Sequence, residues 1–455
     1  MIDLKNKRVL VVGLAKSGVA AVRLALAEGA RVTAADRRSG AELGESAAAL
    51  EKLGAQLALG PHDERVFLDA DLMVVSPGVP LALPAIQAAK RAGVRVVGEV
   101  ELASRFLSGK LVGVTGTNGK STVTALTGCL CESGGGRTFA GGNLGRPLSE
   151  AALCGGDFDY VVCELSSFQL EGIETMRPRV ACITNLTPDH IDRYPSHEAY
   201  GLAKKRIFMN QTEADFGIVN ARDAATLELI EGERCRPVTF GFGTPVEWAA
   251  RFDGERIVAR VGEGDESYLV RNRALRGEHN LENAMVALLS ARLVGVSPKH
   301  VQAGLDRYPG LAHRIESAGI VRGVEYVNDS KATNVDSTIV ALKAFARGVW
   351  LIAGGRGKGV SYAPMVEASL GRVEAVLTIG EDAPLLAEAY RGHAEVVDCG
   401  ELAGALKVAF ERARPGDVVL LSPACASYDQ FNNFEERGER FKALVRQWAA
   451  EAEGK

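Results

Sequence analysis

LVGVTGTNGKSTVTAL, residues 111–126, passes from an apolar, β-branched run through a glycine turn into a helical pattern. A strand that ends this way aims several backbone N–H groups and the positive end of a helix at one point, which is a ready place for a phosphate. Gly116 and Gly119 let the backbone approach an anion closely, and Lys120 brings a point charge. The hydroxyl of Ser121 or Thr122 offers an oxygen ligand to Mg²⁺. Val114 stands where the first glycine of the general G-x-x-x-x-G-K-[ST] loop would be, so the loop is shorter than that pattern. With Thr117 and Asn118 it forms a candidate triphosphate site spanning residues 116–122.

Working outward, strand-like runs alternate with helical stretches on both sides. In the first hundred residues they fall at Arg8–Val12, Arg31–Ala35, Asp71–Ser76 and Val94–Val97, which predicts a parallel sheet with helices packed on it. Beyond the loop they recur at Tyr160–Leu165, Val180–Thr184 and Phe216–Asn220, followed by a helix over Leu281–Val294. The pattern breaks at Tyr308, Pro309 and Gly310 and resumes at Val349–Ala353, Val373–Ile379 and Val418–Ser422. At 455 residues, and about 150 residues per domain, roughly three α/β domains are expected, divided as 1–105, 106–308 and 309–455.

The hydrophobic fraction of 47% and charged fraction of 24% are those of a globular chain, and a formal net charge of −4 supplies no basic field for a nucleic acid. Eight cysteines show no spacing suited to zinc or to a redox pair, so buried free thiols are expected. Lys16 and Arg23 interrupt the apolar stretch from Val9 to Leu26, so neither an export signal nor a membrane span is expected. The cytoplasm is the expected location.

Two polar clusters follow later strands. Glu164 opens ELSSFQLE, and a carboxylate at a strand end beside a nucleotide loop suits Mg²⁺. NLTPDHIDRYP, residues 185–195, carries Asp189 and His190; the histidine is a metal ligand, a base or a structural residue. Tyr200, Ala203, Lys204, Lys205 and Arg206 lie in a helical stretch where successive side chains point about 100° apart, so one of the two lysines can face the site. A basic run of this kind is otherwise a solvated helix face.

Taken in order, these segments resemble the Mur ligase family, the ATP-dependent amide ligases of peptidoglycan precursor synthesis. The likeness extends to GGNLG at 141–145, YGLAKKRI at 200–207, GEHNLEN at 277–283, AHRIE at 312–316, NDSKATN at 328–334 and LSPACASYDQFNNFEERG at 421–438. It implies a Rossmann-like UDP-binding first domain, a P-loop-like ATPase in the centre and a Rossmann-like C-terminal domain. It further implies that Lys120 contacts ATP phosphate, that Ser121 and Glu164 hold one Mg²⁺, that His190 helps hold a second, and that Asn143 positions the reacting groups.

The family pattern Y-x-x-A-K falls on Tyr200 and Lys204, which marks Lys204 as the lysine that takes up CO₂ as a carbamate and so becomes a metal ligand. Asn280 and Asn283 resemble the adenine contacts, and His313, Arg314, Asp329 and Lys331 the residues around the ribose and phosphates. Thr333, Lys358, Ser427 and Phe434 resemble the acceptor side. The last segments are most similar to the branch that joins D-glutamate to UDP-MurNAc-L-Ala, which gives those two small molecules as partners, with no nucleic acid and no membrane, acting on a monomer. Arg356 and Tyr428 receive no role from the likeness.

VVGLAKSG at 11–18, with Asp36 after the second strand, superficially reads as a dinucleotide site, but Ala15 replaces the middle glycine that would let a pyrophosphate approach. The resemblance instead implies UDP there, with Ala15, Lys16 and Ser17 near the diphosphate, Asp36 and Arg37 near the uridine, and Ser76, Pro77 and Gly78 forming a further turn. A strand-end structural role for Asp36 is the alternative. A folylpolyglutamate synthetase would share the loop and the carbamate without needing a UDP-binding domain, and a nucleotide switch would need neither Glu164, His190 nor Lys204.

Overall fold

The structure is a computed structural model that describes residues 3–143, 145–187, 193–243, 249–262 and 264–453. Among these the strands form three sheets. The first contains β1 (Arg8–Val12), β2 (Arg31–Asp36), β3 (Gln56–Leu59), β4 (Leu72–Val75) and β5 (Arg95–Gly98), in the order β3-β2-β1-β4-β5 and parallel throughout. The buried runs Val9–Val12 and Leu72–Val75 are apolar without alternation because helices cover both faces of such a sheet.

The second sheet contains β6 (Lys110–Thr115), β7 (Thr138–Gly142), β8 (Tyr160–Glu164), β9 (Val180–Ile183), β10 (Phe216–Asn220) and β11 (Arg236–Phe242). It continues through β12 (Ala250–Phe252), β13 (Arg256–Arg260) and β14 (Asp265–Leu269), in the order β14-β13-β12-β11-β10-β9-β6-β8-β7. The β12–β14 ribbon is antiparallel and was not expected: its charged, half-exposed sequence lacks the apolar runs that mark the parallel strands. The third sheet contains β15 (Glu316–Val321), β16 (Val324–Asn328), β17 (Val349–Gly354), β18 (Val373–Ile379), β19 (Glu395–Gly400) and β20 (Val418–Leu421), in the order β15-β16-β20-β17-β18-β19. Only the β15–β16 pair there is antiparallel.

The chain divides into two compact units, residues 1–270 with 282–307, and residues 271–281 with 308–455. The expected boundary between residues 105 and 106 therefore falls inside the first unit. All eight cysteines are free, but the expectation that they are buried fails at Cys154, which is exposed just after the helix Leu148–Leu153. Among the described residues no helix is long and apolar enough to cross a membrane.

Inside the first unit, two buried glutamates of the helix Glu99–Ser104 join the first two sheets. Glu101 is fully buried and accepts from the backbone N–H groups of Glu174, Thr175 and Met176 at 2.9, 3.0 and 2.9 Å, and from the Arg105 guanidinium at 2.9 Å. Burial works to raise its pKa, yet these donors outweigh burial and leave it lowered.

Glu99 has a different balance. Its Oε1 accepts from the Ser149 N–H at 2.6 Å, while Oε2 is buried with no partner among the described residues. Burial therefore pushes its pKa up from 4.5 to about 7. A carboxyl whose folded pKa is raised contributes stability below its unfolded pKa and loses it as pH rises through the folded value. For Glu99 that window runs from about pH 4.5 to 7, and a shift of this size corresponds to roughly 3 kcal/mol. Glu99→Gln, which keeps the acceptor for Ser149 and removes the titration, should melt higher than the parent at pH 8, with the difference closing toward pH 5. Thermal melts across that range check it, and a difference that does not change with pH would contradict the account.

Candidate active site

Three neighbouring strands of the second sheet deliver the loop, the carboxylate and the asparagine to one edge. β6 lies between β9 and β8, and β7 is next to β8, so the turns that follow them are adjacent at their C-terminal ends. The loop after β6 leads into the helix Lys120–Ser133, whose N-cap, Gly119, adopts φ 82° and supplies no side-chain cap. That helix start thus leaves its amides to a ligand. A Cβ at Gly119 would lie 2.2 Å from Asn283 Oδ1, and one at Gly116 would lie 1.9 Å from Thr184 Oγ1, so side chains are excluded from both positions.

The loop is bolted to the end of β9. Thr184 Oγ1 donates to the Asn118 carbonyl at 2.6 Å, the Asn118 N–H donates to Asn185 Oδ1 at 2.9 Å, and the Thr117 N–H donates to the Asn185 carbonyl at 3.0 Å. Thr117 Oγ1 donates in turn to the Thr187 carbonyl at 3.1 Å. The Lys120 amino group rests on the carbonyls of Gly116 and Thr117, at 2.9 and 2.8 Å. These braces from Thr184, Asn185 and Thr187 were not foreseen. The polar run after the strand was their visible signal, but a bond between positions some 70 apart has no local signature.

Glu164, at the end of β8, is buried, and its Oε1 accepts from Asn143 Nδ2 at 2.8 Å, while the Asn143 N–H donates to the Glu164 carbonyl at 2.9 Å. Its Oε2 is buried with no hydrogen-bond partner among the described residues. A buried carboxylate oxygen left dry beside a phosphate loop fits a cation site, because the hard oxygen lacks a donor and Mg²⁺ seeks such ligands. Ser121, buried in the first turn of the helix, adds a hydroxyl. Among the described residues no three His, Cys, Asp or Glu side chains cluster as a metal set, and His190 lies outside them, as does Asp189.

The two lysines of the helix His197–Lys205 separate cleanly. Lys204 is buried and donates to the Gly116 carbonyl at 2.8 Å, with its amino group 4.4 Å from the centre of the Tyr200 ring. Lys205 points away and pairs with Glu233 at 3.2 Å. Phe168 and Tyr194 stack at 5.8 Å, Arg193 covers Phe168 at 3.8 Å, and Tyr194 donates to Glu171 at 2.7 Å, so the chain entering this helix is pinned.

On the N-terminal side of this edge lies a cavity of about 850 Å³. Every residue expected at the UDP site lines it, from Ala15, Lys16 and Ser17 to Asp36, Arg37 and the turn Ser76–Gly78, and so does Asn143. Asp36 is buried and committed to bracing: Arg38 Nε donates to it at 2.9 Å and the Leu14 N–H at 2.7 Å, and the Arg38 hydrogen bond holds its carboxyl well below the usual carboxylate range. Arg38, His62 and Gln169 also line the cavity and were not foreseen. Arg38 had a signal, since an aspartate at a strand end commonly accepts from the backbone two residues on, as the Arg38 N–H donates to Asp36 Oδ1 at 2.9 Å, which brings the arginine side chain to the same carboxylate.

In the second unit, the turns after β16, β20 and β17 are likewise adjacent. The Lys331 amino group sits 5.3 Å from the Phe434 ring centre, and His313 meets the same ring edge-on at 6.0 Å. His313 is held in the left-handed region at φ 62°, with burial lowering its pKa. Asp329 is buried and accepts from Ser422 Oγ at 2.8 Å and from the Ile315 N–H at 3.2 Å, and burial raises its pKa to about 7. Ser427 is buried, whereas Arg314 and Lys358 are exposed. Asn280 donates to the Arg276 carbonyl at 3.1 Å on the helix that also carries Asn283. Thr333 donates its N–H to the Lys331 carbonyl at 2.8 Å. Arg356 gains an assignment: its guanidinium grips Glu381 through two bonds, at 3.0 and 2.9 Å. Tyr428 is exposed with no role in the structure.

Comparison with known proteins agrees with this layout. Residues 7–98 match the MurD-like N-terminal domain of Mur ligases, residues 114–291 the Mur ligase middle domain, and residues 313–425 the Mur ligase glutamate ligase domain. A curated protein of Myxococcus xanthus named UDP-N-acetylmuramoylalanine--D-glutamate ligase is 61% identical, the match covering 97% of this chain and 98% of that one. The chain belongs to the Mur ligase family.

A protein of the same name from Anaeromyxobacter dehalogenans is 56% identical over 98% of this chain and 99% of its own. Among solved structures, the Mur ligase fold recurs in UDP-N-acetylmuramate-alanine ligase MurC of Thermotoga maritima, with a TM-score of 0.59 at 20% identity over 98% of this chain and all of that one. It recurs also in a pseudomurein peptide ligase type C of Methanothermus fervidus, with a TM-score of 0.58 at 16% identity over 97% and 100% of the two chains. At these identities the likeness is one of fold.

Proposed function

We propose that this Mur ligase is an ATP-dependent amide ligase that joins D-glutamate to UDP-MurNAc-L-Ala in the cytoplasm, acting as a monomer. The observation that carries the reading is the cavity, which is lined both by Asp36 at the end of β2 and Arg38 just after it, and by Asn143, whose amide is bonded to Glu164 beside the phosphate loop. A nucleotide-linked substrate held there would present its far end to the loop. The near-full-length identity to ligases of this name supports the choice of substrates. A folylpolyglutamate synthetase would leave the cavity of the first sheet without a purpose.

In this reading residues 1–105 bind the UDP-sugar, 106–308 bind ATP, and 309–455 supply the acceptor side. The substrate carboxylate attacks the γ-phosphoryl group to give an acyl phosphate and ADP. The amine of D-glutamate then attacks the acyl carbon, forming the amide as phosphate leaves and the amine loses a proton. The chain's part is positioning and charge. Loop amides and Lys120 hold the triphosphate, Asn283 and Asn280 face the base, and His313, Arg314, Asp329 and Lys331 face the ribose and phosphates. Asn143 orients the reacting carboxylate against Glu164.

Ser121, Glu164, His190 and Lys204 would hold two Mg²⁺ ions, which when bound offset negative charge on the transferring phosphoryl group. Lys204 would serve as a carbamate, formed when its neutral amine adds to CO₂ with loss of a proton; the product is an anionic oxygen donor where an ammonium stood. Thr333, Lys358, Ser427 and Phe434 receive the amino acid. Incubation with UDP-MurNAc-L-Ala, D-glutamate and ATP should release phosphate only when all three are present, with the mass of the D-glutamyl adduct in the product. Phosphate release that ignores the amino acid would overturn the reading.

A further inference from the structure

We propose that Arg437 is a positioning residue for the amino-acid acceptor, fixing the spacing of the loops of the third sheet that present Thr333 and Ser427. This rests on the acceptor-side reading given above. Arg437 is the largest of the fully buried side chains, 1% exposed, and lies in the helix Phe434–Glu453. Its Nε donates to Ser330 Oγ at 3.0 Å, and its Nη2 donates to the carbonyls of Ser330 at 2.9 Å and Cys425 at 3.2 Å. Ser330 lies three residues before Thr333, and Cys425 lies two residues before Ser427.

The fork thus ties the loop after β16 to the loop after β20. A third loop is attached to the second through paired backbone bonds between Arg356 and Ala426, at 2.9 and 3.0 Å, and it carries Lys358. The same arginine side chain reaches its own helix start, because Ser330 Oγ donates on to the Phe434 carbonyl at 2.8 Å.

Two features separate this from ordinary core packing. The hydrogen-bond partners of Arg437 among the described residues are neutral oxygens of the two loops, and the Asp429 carboxylate acts on its charge only at longer range. Burial lowers its pKa to about 10, which still leaves it charged at neutral pH. An apolar side chain of similar volume would fill the space but leave the Ser330 and Cys425 carbonyls without this donor, whereas a planar fork fixes two loops at one separation. Second, Ala424, next to the Cys425 carbonyl that Arg437 grips, is held at φ 60°, a left-handed conformation that a non-glycine residue keeps only where its surroundings enforce it.

The test is steady-state kinetics of the full chain with Arg437→Lys, which keeps the charge and loses the fork, and Arg437→Met, which loses both. KM for D-glutamate should rise at least tenfold in Arg437→Met and severalfold in Arg437→Lys, with KM for UDP-MurNAc-L-Ala within twofold of the parent and KM for ATP, whose contacts Asp329 and Lys331 flank Ser330, rising less than that for D-glutamate. Circular dichroism establishes that each variant is folded. If Arg437→Met does not fold, Arg437→Lys and Ser330→Ala, which removes one acceptor of the fork, carry the same readout. Unchanged KM for the amino acid in folded variants, or a uniform fall in kcat with all three KM values unmoved, would overturn the proposal. If the parent enzyme proves to use a different acidic amino acid, the assignment of D-glutamate fails while the KM split is still read with the acceptor it does use.

Discussion

Replacing Lys204 by methionine should reduce phosphate release by a factor of about 10³ or more, while Lys205→Met should leave most of it. The neighbours in sequence have opposite surroundings: Lys204 is buried against the Gly116 carbonyl and the Tyr200 ring, and Lys205 is half-exposed in a pair with Glu233. A partly solvated pair of that kind is worth about 0.5 kcal/mol, so its loss should be nearly silent. Methionine matches the length of lysine and suits a dry site, so the fold should survive both changes. Turnover with all three substrates, alongside circular dichroism, checks this. In CO₂-depleted buffer the parent enzyme should lose turnover and regain it when bicarbonate is added. Equal losses in the two variants would point to damage to the helix His197–Lys205 rather than to a role for Lys204.

Glu164→Gln should cost about 10²–10³ in turnover and raise the Mg²⁺ needed for half-saturation by tenfold or more, without lowering the melting temperature. The carboxylate has one oxygen engaged by Asn143 and one buried without a partner among the described residues. An amide keeps the first contact and removes the need to bury a charge on an oxygen without a hydrogen-bond donor among the described residues. Activity and stability should therefore move independently, the sign of a group kept for its ligand rather than for the fold. A Mg²⁺ titration and a thermal melt on the same preparation decide it; an unchanged Mg²⁺ requirement would remove Glu164 from the metal ligands.

Parallel strands buried on both faces were the most legible part of the sequence. Phe216–Asn220 and Val373–Ile379 are strands with the expected limits, because short, mostly apolar runs rich in β-branched residues and bounded by turn residues admit little else. β3, β7 and β19 escaped notice: QLAL reads equally well as helix, TFAGG spends two of five positions on glycine, and EVVDCG carries charges at an exposed edge. The phosphate loop was legible because its chemistry is contiguous. What positions it was not, since Thr184, Asn185 and Asn283 reach it from distant parts of the chain. Arg437 illustrates the same limit, as an arginine between Glu436 and Gly438 looks like a solvated position until the helix is seen to turn it inward.

The buried Glu101 has a consequence for how such a protein can be rebuilt. Its carboxylate receives three consecutive backbone amides, from residues 174, 175 and 176, that no side-chain substitution on the receiving segment can withdraw. Residues 1–105 are therefore not an exchangeable cassette. A transplanted N-terminal module would have to bring an acid to the same spot, or leave three N–H groups dry at a cost of about 1–3 kcal/mol each. Chimaeras that respect that one carboxylate have a chance of assembling, and those joined at residue 105 without it start several kcal/mol behind.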